Sequence, residues 1–449
     1  MALQPCKPHP CEIRAGSYPV SVAMNRIVSF LQAVTLAVVI PPALPAVAKT
    51  CDVRSFGAKG DGVTKDTRAV QQAIEACSAS RGGGTVRLSG GRFLIAPIEI
   101  RSNVTLDIEK DAILLGSTDR ADYPPAVRMR QHTVAPLLSI TNAVNVTLHG
   151  GGVIDGQGTV WWEYVKGIKD AGVLGTDHPR PMLLFLDHAK HVVVEDLTIQ
   201  NSGFWQVVPY YSDDLVFRRL RILAPQRGAP NTDAIDPFSS SHVLIEHLFA
   251  STGDDNIAIK SGSINSAGPD APSQDITIRD CEFEAGHGLS IGSELAGGVQ
   301  RVHVERVHFK GTDQGIRIKA NRDRGNDVSD LSFQDITMEG VGTAIVISEY
   351  YPKMMPEGEA QAVAVGRLTP FFHNIRIENL TASGSRTAGV IMGLPESPVK
   401  GLVLRNVTLS ATEGLTVAFA RATFDHVQVK ADQGEAMIIQ KTAQVEIVK

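Results

Sequence analysis

Four short segments near the middle of the chain carry side chains that can transfer protons or bind anions. They are Asn231–Phe238, Asp254–Lys260, Gly286–Gly292 and Asp313–Lys319. An alignment without gaps on Ile235, Ile257, Leu289 and Ile316 brings chemically active side chains into register. The first column contains Asp233, Asp255, His287 and Gln314, and Asp254 directly precedes Asp255. Two later columns contain Asp236 with Arg317 and Lys260 with Lys319.

Carboxylates stacked this closely have two interpretations. Like charges repel and shift each other's pKa values. A column of stacked acids without a catalytic role must therefore be solvated or hydrogen-bonded to the backbone of turns. That interpretation suits any one of these residues alone, but not acids, an imidazole and cations in one register. The combination suits hydrolysis of an acidic sugar, in which one acid protonates the leaving oxygen, the others activate water, and cations bind the substrate carboxylate. Alternation along a strand places Arg317 and Lys319 on the face that Asp254 shares.

A repeat in the surrounding sequence predicts the elements that position these segments. An alternating apolar run, a polar pair and a second short apolar run recur from His191, Asp214, His242, Asp275, Arg301, Asp330, Asn374 and Gly401. Most starts are about 23 to 33 residues apart, which is typical of a solenoid. An antiparallel sandwich would instead show frequent hairpin turns such as Asn-Gly. We predict an all-β chain, a single right-handed parallel β-helix, with a short helix at about 67–79 capping its N-terminal end.

The N-terminus resembles a secretory signal. From Met24 a basic start leads into an apolar run, Ile27 to Ile40, and a small-residue end at Ala46-Val-Ala. The run is shorter than the ~20 residues that span a bilayer, which disfavours the alternative of a membrane anchor. We expect residues 1–48 to be a targeting segment, with the signal beginning at Met24, and residues 49–449 to be the catalytic β-helix. Export, to the periplasm or the medium of a bacterium, is the predicted localisation.

Composition narrows the function classes. The 449 residues are 43% hydrophobic, 20% charged and 6% aromatic, which excludes a disordered or collagen-like chain. The net charge of −5 argues against a nucleic-acid partner, and after residue 48 there is no apolar stretch that would span a membrane. Three cysteines remain beyond residue 48: a Cys51–Cys77 bridge would leave Cys281 over, and three structural thiols are the alternative. We expect a monomer.

The four segments also resemble a known family. Asn231-Thr-Asp, Gly253-Asp-Asp, Gly286-His-Gly and Arg317-Ile-Lys are similar to the four signature blocks of the polygalacturonases, glycoside hydrolase family 28, and occur in that family's order. The stretch from Val53 to Val63 resembles the first coil of bacterial members. The resemblance covers most of residues 50–430. It implies a right-handed parallel β-helix that hydrolyses the α-1,4-galacturonan of plant cell walls with inversion, without a cofactor or metal.

The resemblance also implies roles for individual residues. Asp254 would be the general acid, Asp233 and Asp255 would hold and deprotonate the water, and His287 would tune the acid. The predicted substrate-binding residues are Asn231, Arg317, Lys319, Lys260 and Tyr350. Tyr350 begins an aromatic pair that could form a wall for a sugar ring or simply a loop. Val208-Pro209 stands where relatives often have His-Pro, and Ala234 where many have Gly, so subsite details differ from the family pattern.

Three alternatives remain open. The substrate could be another pectic polymer, rhamnogalacturonan or xylogalacturonan, although intact Asn-Thr-Asp and Gly-His-Gly blocks favour polygalacturonate. A pectate lyase would use calcium and an arginine base, and a non-catalytic polysaccharide-binding β-helix would not need Asp254. Whether the enzyme acts within the chain or at its end depends on segments such as 117–130 and 161–181, whose lengths favour a cleft closed at one end.

Overall fold

A computed structural model describes residues 49–173, 178–352 and 359–449. The predicted targeting segment, 1–48, therefore lies outside the described residues. The chain from Lys49 winds into a right-handed parallel β-helix, as the repeat predicted. Its strands form three parallel sheets, named sheet 1, sheet 2 and sheet 3 in the order in which each coil visits them. Within the described ranges, no helix has the length and hydrophobicity to cross a membrane.

The strands follow the coils in order. Sheet 1 includes Lys49–Asp52, Gly84–Leu88, Val104–Ile108, Val144–His149, Lys190–Glu195, Asp213–Arg218, Ser241–Glu246 and Gln444–Val448. Sheet 2 includes Asp61–Lys65, Gly91–Ile95, Ala112–Gly116, Val153–Asp155, Thr198–Gln200, Arg221–Leu223 and Phe249–Ser251. Sheet 3 includes Ile98–Glu99, Leu138–Thr141, Leu184–Asp187, Val207–Tyr210, Ile257–Ser261, Leu289–Leu295, Gln314–Lys319 and Thr343–Ser348.

The later coils are built from longer strands. Ser273–Glu284, Val299–Lys310 and Asp327–Glu339 continue without a break from sheet 1 into sheet 2. Phe371–Met392, Val399–Ala418 and Ala420–Ile439 pass through all three sheets. The inward side chains of every coil are mostly aliphatic and phenylalanine, and they form one continuous core along the axis.

Single residues with positive φ turn the chain from sheet 1 to sheet 2. Asp196, Arg219, His247, Asp280 and Arg306 adopt φ values of 52–54° at successive corners. Non-glycine residues rarely adopt this conformation, and Asn and Asp are the most tolerant of it. At these corners acid and base meet in neighbouring coils: Arg219 Nε donates to Asp196 Oδ1 at 2.7 Å, and Arg306 Nε to Asp280 Oδ1 at 2.6 Å.

The N-terminal coil carries the predicted helix. Helix α1, Thr67–Ser78, buries Ala69, Val70, Ala73 and Ile74 against the first strands, as the helical spacing predicted. Cys77, on the same face, forms a disulfide with Cys51 of the first strand, which is one of the two alternatives that the sequence left open. Cys281 is a buried free thiol, and burial raises its pKa to about 12.

Two insertions on the side of sheet 3 differ from the predicted loops. The 117–130 segment contains a short 3-10 turn, Arg120–Asp122, and the start of an antiparallel hairpin, Pro125–Arg128 with Gln131–Val134. The 161–181 segment begins inside helix α2, Thr159–Asp170, which the sequence did not predict. The Trp161 ring packs edge-on against the Tyr123 ring at 5.2 Å, so the two insertions support each other.

Candidate active site

The predicted register of the four segments is confirmed. Parallel pairing joins Ile235 to Ile257, Ile257 to Leu289 and Leu289 to Ile316, and all four side chains are buried in the core. Positions that flank this column face away from the core, into a cavity of about 890 Å³. Its lining includes Asn231, Asp233, Asp254, Asp255, Lys260 and Lys319. Sheet 3 is therefore the floor of the site.

Asp255 is the buried anion at the centre of the site. Its Oδ2 accepts from Lys319 Nζ at 2.9 Å, and its Oδ1 lies 3.3 Å from Arg317 NH1 and accepts from Ser290 Oγ at 2.9 Å. Burial alone would raise the pKa of Asp255, but the charges of Lys319, Arg317 and Lys260 outweigh it and lower the pKa to about 2. Asp255 is thus ionised throughout the working range of an enzyme. Strand alternation predicted that the two cations would share a face with Asp254, but they contact Asp255, because both acids lie at the turn into the strand.

Asp254 is the acid that is open to the cavity. Its Oδ1 lies 2.9 Å from Nδ1 of His287, and its Oδ2 accepts from Asn231 Nδ2 at 3.3 Å. The other ring nitrogen of His287 lies 3.3 Å from Asp313 Oδ2. The hydrogen bond with Asp254 raises the pKa of His287. The imidazole, which lies between Asp254 and Asp313, holds Asp254 in place while leaving one face of it accessible.

Asp233 lies deeper, beside Lys260. It is 3% exposed, and its Oδ2 is 4.0 Å from Lys260 Nζ. Burial and the neighbouring acids Asp236 and Asp254 raise its pKa well above the usual range. Lys260 Nζ also lies 3.5 Å from Glu294 Oε2 and 5.0 Å from the centre of the Trp205 ring. The predicted substrate-binding Lys260 is therefore engaged by protein acids, and so are Arg317 and Lys319.

Arg180 is a site residue that the sequence analysis missed. Its guanidinium is buried, donates to the carbonyl oxygens of Gly203 and Pro230, and donates from NH2 to Asn231 Oδ1 at 2.8 Å. Asn231 thereby connects Arg180 to Asp254, a positioning contact in addition to its predicted role in substrate binding. Arg180 follows no motif and lies far from the four blocks in sequence, so no local signal marked it.

The aromatic pair at 350–351 requires a correction. Tyr350 is 5% exposed, packs against Met392 and Leu394, and lies under the guanidinium of Arg322. The next residue, Tyr351, lines the cavity, and its ring lies 5.3 Å from Lys319 Nζ. The aromatic side chain that lines the cavity at this point is therefore Tyr351 and not the predicted Tyr350.

Three of the site residues have the composition of a metal site. Ligand atoms of Asp254, Asp255 and His287 lie within 4.8 Å of one another. Lys319 and Arg317 already neutralise Asp255, however, and a cation at this position would compete with both. The donor set therefore fits a proton-transfer site better than a site for a divalent cation.

The rim of the cavity is joined at one point by an ion pair. Arg130, at the tip of the hairpin, contacts Asp270 Oδ1 at 3.1 Å and the Pro269 carbonyl at 3.3 Å. These partners are 140 residues apart in sequence. Because Met129–Thr133 and Gly262–Ile264 both line the cavity, the pair ties two of its walls together.

Known proteins resemble this chain throughout the β-helix. The profile of the family named glycosyl hydrolases family 28 matches residues 94–427, and that of a rhamnogalacturonase A/epimerase, pectate lyase-like family matches residues 50–107. A probable polygalacturonase of Vitis vinifera is 30% identical over 81% of this chain and 74% of its own. An endo-polygalacturonase of Pectobacterium carotovorum subsp. carotovorum is 30% identical over 79% of this chain and 86% of its own. The crystal structure of an exopolygalacturonase from Thermotoga maritima superposes with a TM-score of 0.74 at 26% identity, covering 86% of this chain and 93% of the other.

Proposed function

The chain belongs to family 28 of the glycosyl hydrolases, and we propose that it hydrolyses the α-1,4-galacturonosidic bonds of polygalacturonate with inversion. The observation that supports this substrate and chemistry most is the stack of Asp233, Asp254 and Asp255 in one cavity that Lys319 also lines, with Arg317 paired to Asp255 beside it. An acidic polymer needs cations near the cleavage point, and an inverting hydrolase needs one acid and one base.

The three acids have separate roles in the proposed reaction. Asp254, which is open to the cavity and held by His287 and Asn231, is positioned to donate a proton to the leaving oxygen. Asp255 is kept ionised by its two cations, so it can accept a hydrogen bond from the attacking water. Asp233, the more basic neighbour, is the group that removes the water's proton. Lys319 and Tyr351 line the wall that would receive the galacturonate ring and its carboxylate, and the Arg317 guanidinium lies 5.6 Å from the centre of the Tyr351 ring.

Cleavage at the end of the polymer is the second part of the proposal. An ion pair joins the hairpin tip at Arg130 to the loop at Asp270 at the rim, and a barrier at this point would prevent a long polymer from passing through. This arrangement supports release of short products from chain ends.

The test measures products of polygalacturonate over time in the presence of a chelator. Early monomer or dimer with little loss of viscosity supports hydrolysis at chain ends, and a ladder of oligomers with a rapid loss of viscosity contradicts it. Unsaturated products that require calcium would identify a lyase. Binding of the polymer without formation of new reducing ends would indicate a non-catalytic polysaccharide-binding protein. Activity on rhamnogalacturonan or xylogalacturonan alone would show that one of these polymers, and not polygalacturonate, is the substrate.

The role of the rim is tested by Arg130→Ala. Loss of the Asp270 ion pair should increase the fraction of internal cuts, which would appear as longer early oligomers and a faster fall in viscosity. Arg405→Ala is the matched control, because Arg405 is a similarly exposed, ion-paired arginine on sheet 1. An unchanged product profile in Arg130→Ala would exclude the rim as the determinant of chain-end action.

We also infer export. The Cys51–Cys77 disulfide supports it, since such bonds persist in oxidising compartments. Residues 1–48 would then be the segment removed, which N-terminal sequencing of the mature protein tests. A monomer remains an expectation, to be checked by light scattering.

A further inference from the structure

Asp236 is a buried acid that the proposed chemistry does not use. Its side chain is completely buried, and neither of its carboxylate oxygens has a hydrogen-bond donor among the described residues. Asp233 Oδ1 is in the same situation. Ionised carboxylate oxygens without a donor are costly in a buried site, so three such oxygens in one place require an explanation.

The two carboxyl groups are held next to each other. Asp236 follows Asp233 by three residues in the segment that pairs with sheet 3, and the two carboxyl groups are neighbours that influence each other's pKa, so that one could donate to the other only if it carried a proton. The backbone is fixed to the preceding coil: Asp236 N donates to Val207 O at 2.9 Å, and Gln206 N donates to Asp233 O at 2.9 Å. Because Ile235 pairs with both Val207 and Ile257, the residues stacked on either side of Asp236 are Val208 and Ala258. Neither side chain can donate a hydrogen bond.

The nearby cations are too few to neutralise both acids. Lys260, 4.0 Å from Asp233, is shared with Glu294. Arg180 acts on Asp233 and Asp254 together while bound to Asn231. Lys319 and Arg317 are engaged by Asp255. Asp254 and Asp255 add negative charge facing the same space. Two ionised carboxylates here would repel strongly, whereas a single proton between them supplies the missing donor.

We propose that Asp233 and Asp236 share one proton, with Asp236 as a positioning residue that keeps the Asp233 carboxylate ionised and able to take a proton from the attacking water. The inference rests on the proposed hydrolysis. The water oxygen bonds to the anomeric carbon, the bond from that carbon to the leaving oxygen breaks, the water's proton passes to Asp233, and Asp254 gives its proton to the leaving oxygen. The pair then holds two protons and Asp254 none, and exchange with bulk water restores the start.

The electrostatics agree with a shared proton. Burial raises the pKa of both acids well above the usual range, and the neighbouring acids add to it, while Lys260 opposes it. Two carboxyls coupled in this way titrate in two steps that belong to the pair. The first step leaves one proton and one charge, which is the form that a general base needs.

The experiment compares Asp236→Asn with Asp236→Ala in the full-length enzyme. Asn imitates a protonated Asp236, because it is neutral and can donate to Asp233, so kcat at the optimum should stay within about threefold of the wild type. Ala offers no donor and leaves Asp233 alone in a buried site, so the acid limb of the pH–rate profile should move up by about one pH unit or more.

Two results would overturn the inference. If Asn is as damaging as Ala, Asp236 acts as an ionised partner of Lys260. If both variants keep the wild-type acid limb and lose only thermal stability, Asp236 merely fills space. A wild type without hydrolytic activity would refute the proposed function but leave the shared proton testable.

Infrared spectroscopy provides a readout that does not depend on activity and avoids the Ala variant. The carbonyl band of a protonated carboxyl at pH 7 should disappear in Asp236→Asn and in Asp233→Asn. Glu349→Gln is the matched control, because Glu349 is a second buried carboxyl outside the site and burial raises its pKa as well. Glu349→Gln should remove a different carbonyl band. If the band assigned to the Asp233–Asp236 pair persists in Asp236→Asn, the shared proton is contradicted.

Discussion

Removal of Lys319 should destabilise the protein through Asp255. Lys319 Nζ is 2.9 Å from Asp255 Oδ2, and both side chains are almost completely buried. Replacing Lys319 with Met keeps much of the volume but leaves a buried carboxylate with Arg317, 3.3 Å away, as its nearest cation. Breaking a buried ion pair on one side costs about 3–5 kcal/mol, and Arg317 should keep the loss near the low end, at about 3 kcal/mol.

The pH dependence of this loss has a definite sign. The pKa of Asp255 falls from 3.8 to about 2 on folding, which corresponds to about 2–2.5 kcal/mol at ~1.4 kcal/mol per unit. A lowered pKa stabilises the fold above the unfolded value and loses that effect as the pH falls through about 2. The unfolding free energies of wild type and Lys319→Met should therefore differ most near neutral pH and converge in acid.

The assay is urea unfolding followed by tryptophan fluorescence at several pH values. Asp255→Asn combined with Lys319→Met should recover stability relative to Lys319→Met, because it removes the orphaned charge, although it cannot restore activity. Lys166→Met is the control, since the Lys166–Asp170 pair is exposed and should change nothing measurable. A double variant that is no more stable than Lys319→Met, or a difference that grows in acid, would refute the reasoning.

Three further predictions concern other parts of the molecule. Asp254→Asn should lower kcat on polygalacturonate by about 10²–10⁴-fold with little change in KM, measured as reducing ends; a loss confined to KM would contradict a general acid. Tyr351→Ala should raise KM, whereas Tyr350→Phe should leave it unchanged, and the reverse order would restore the original assignment. The double variant Cys51→Ser with Cys77→Ser should have a free energy of unfolding about 3 kcal/mol lower than the wild type, measured by thermal unfolding, and addition of a reductant should lower the stability of the wild type by the same amount.

Sequence periodicity was sufficient for the scaffold and the register. The repeat period predicted a parallel β-helix, and the alignment on Ile235, Ile257, Leu289 and Ile316 matches the observed pairing. This works because each strand pairs only with the equivalent position one coil away, so the repeat itself determines which residues become neighbours. Helix α1 was equally visible, since its apolar residues have helical spacing over a full face.

Features that depend on the insertions could not be predicted from the sequence. Helix α2 places only Trp161, Trp162 and Val165 in buried positions, too few for a helical pattern to stand out. Arg180 is defined by carbonyl oxygens of other coils, which no side-chain motif records. Asp236 appeared in the aligned columns, but its lack of a donor became evident only from its burial between Val208 and Ala258. The repeat determines which residues of neighbouring coils are in contact. The insertions determine which side chains beside the β-helix are buried, and the repeat gives no information about them.

Each strand pairs only with the equivalent strands of the adjacent coils. This pairing also determines the order in which the site can form. Ile235, Ile257, Leu289 and Ile316 join in sequence, and long-range closure is never needed. A chain emerging from the ribosome can add coils one after another, as other solenoids do. Asp255 is then in place before Arg317 and Lys319 arrive to compensate its charge. The nascent β-helix therefore passes through a stage in which Asp255 lacks its two ion-pair partners, and arrival of the coil that carries them completes both the site and its stability.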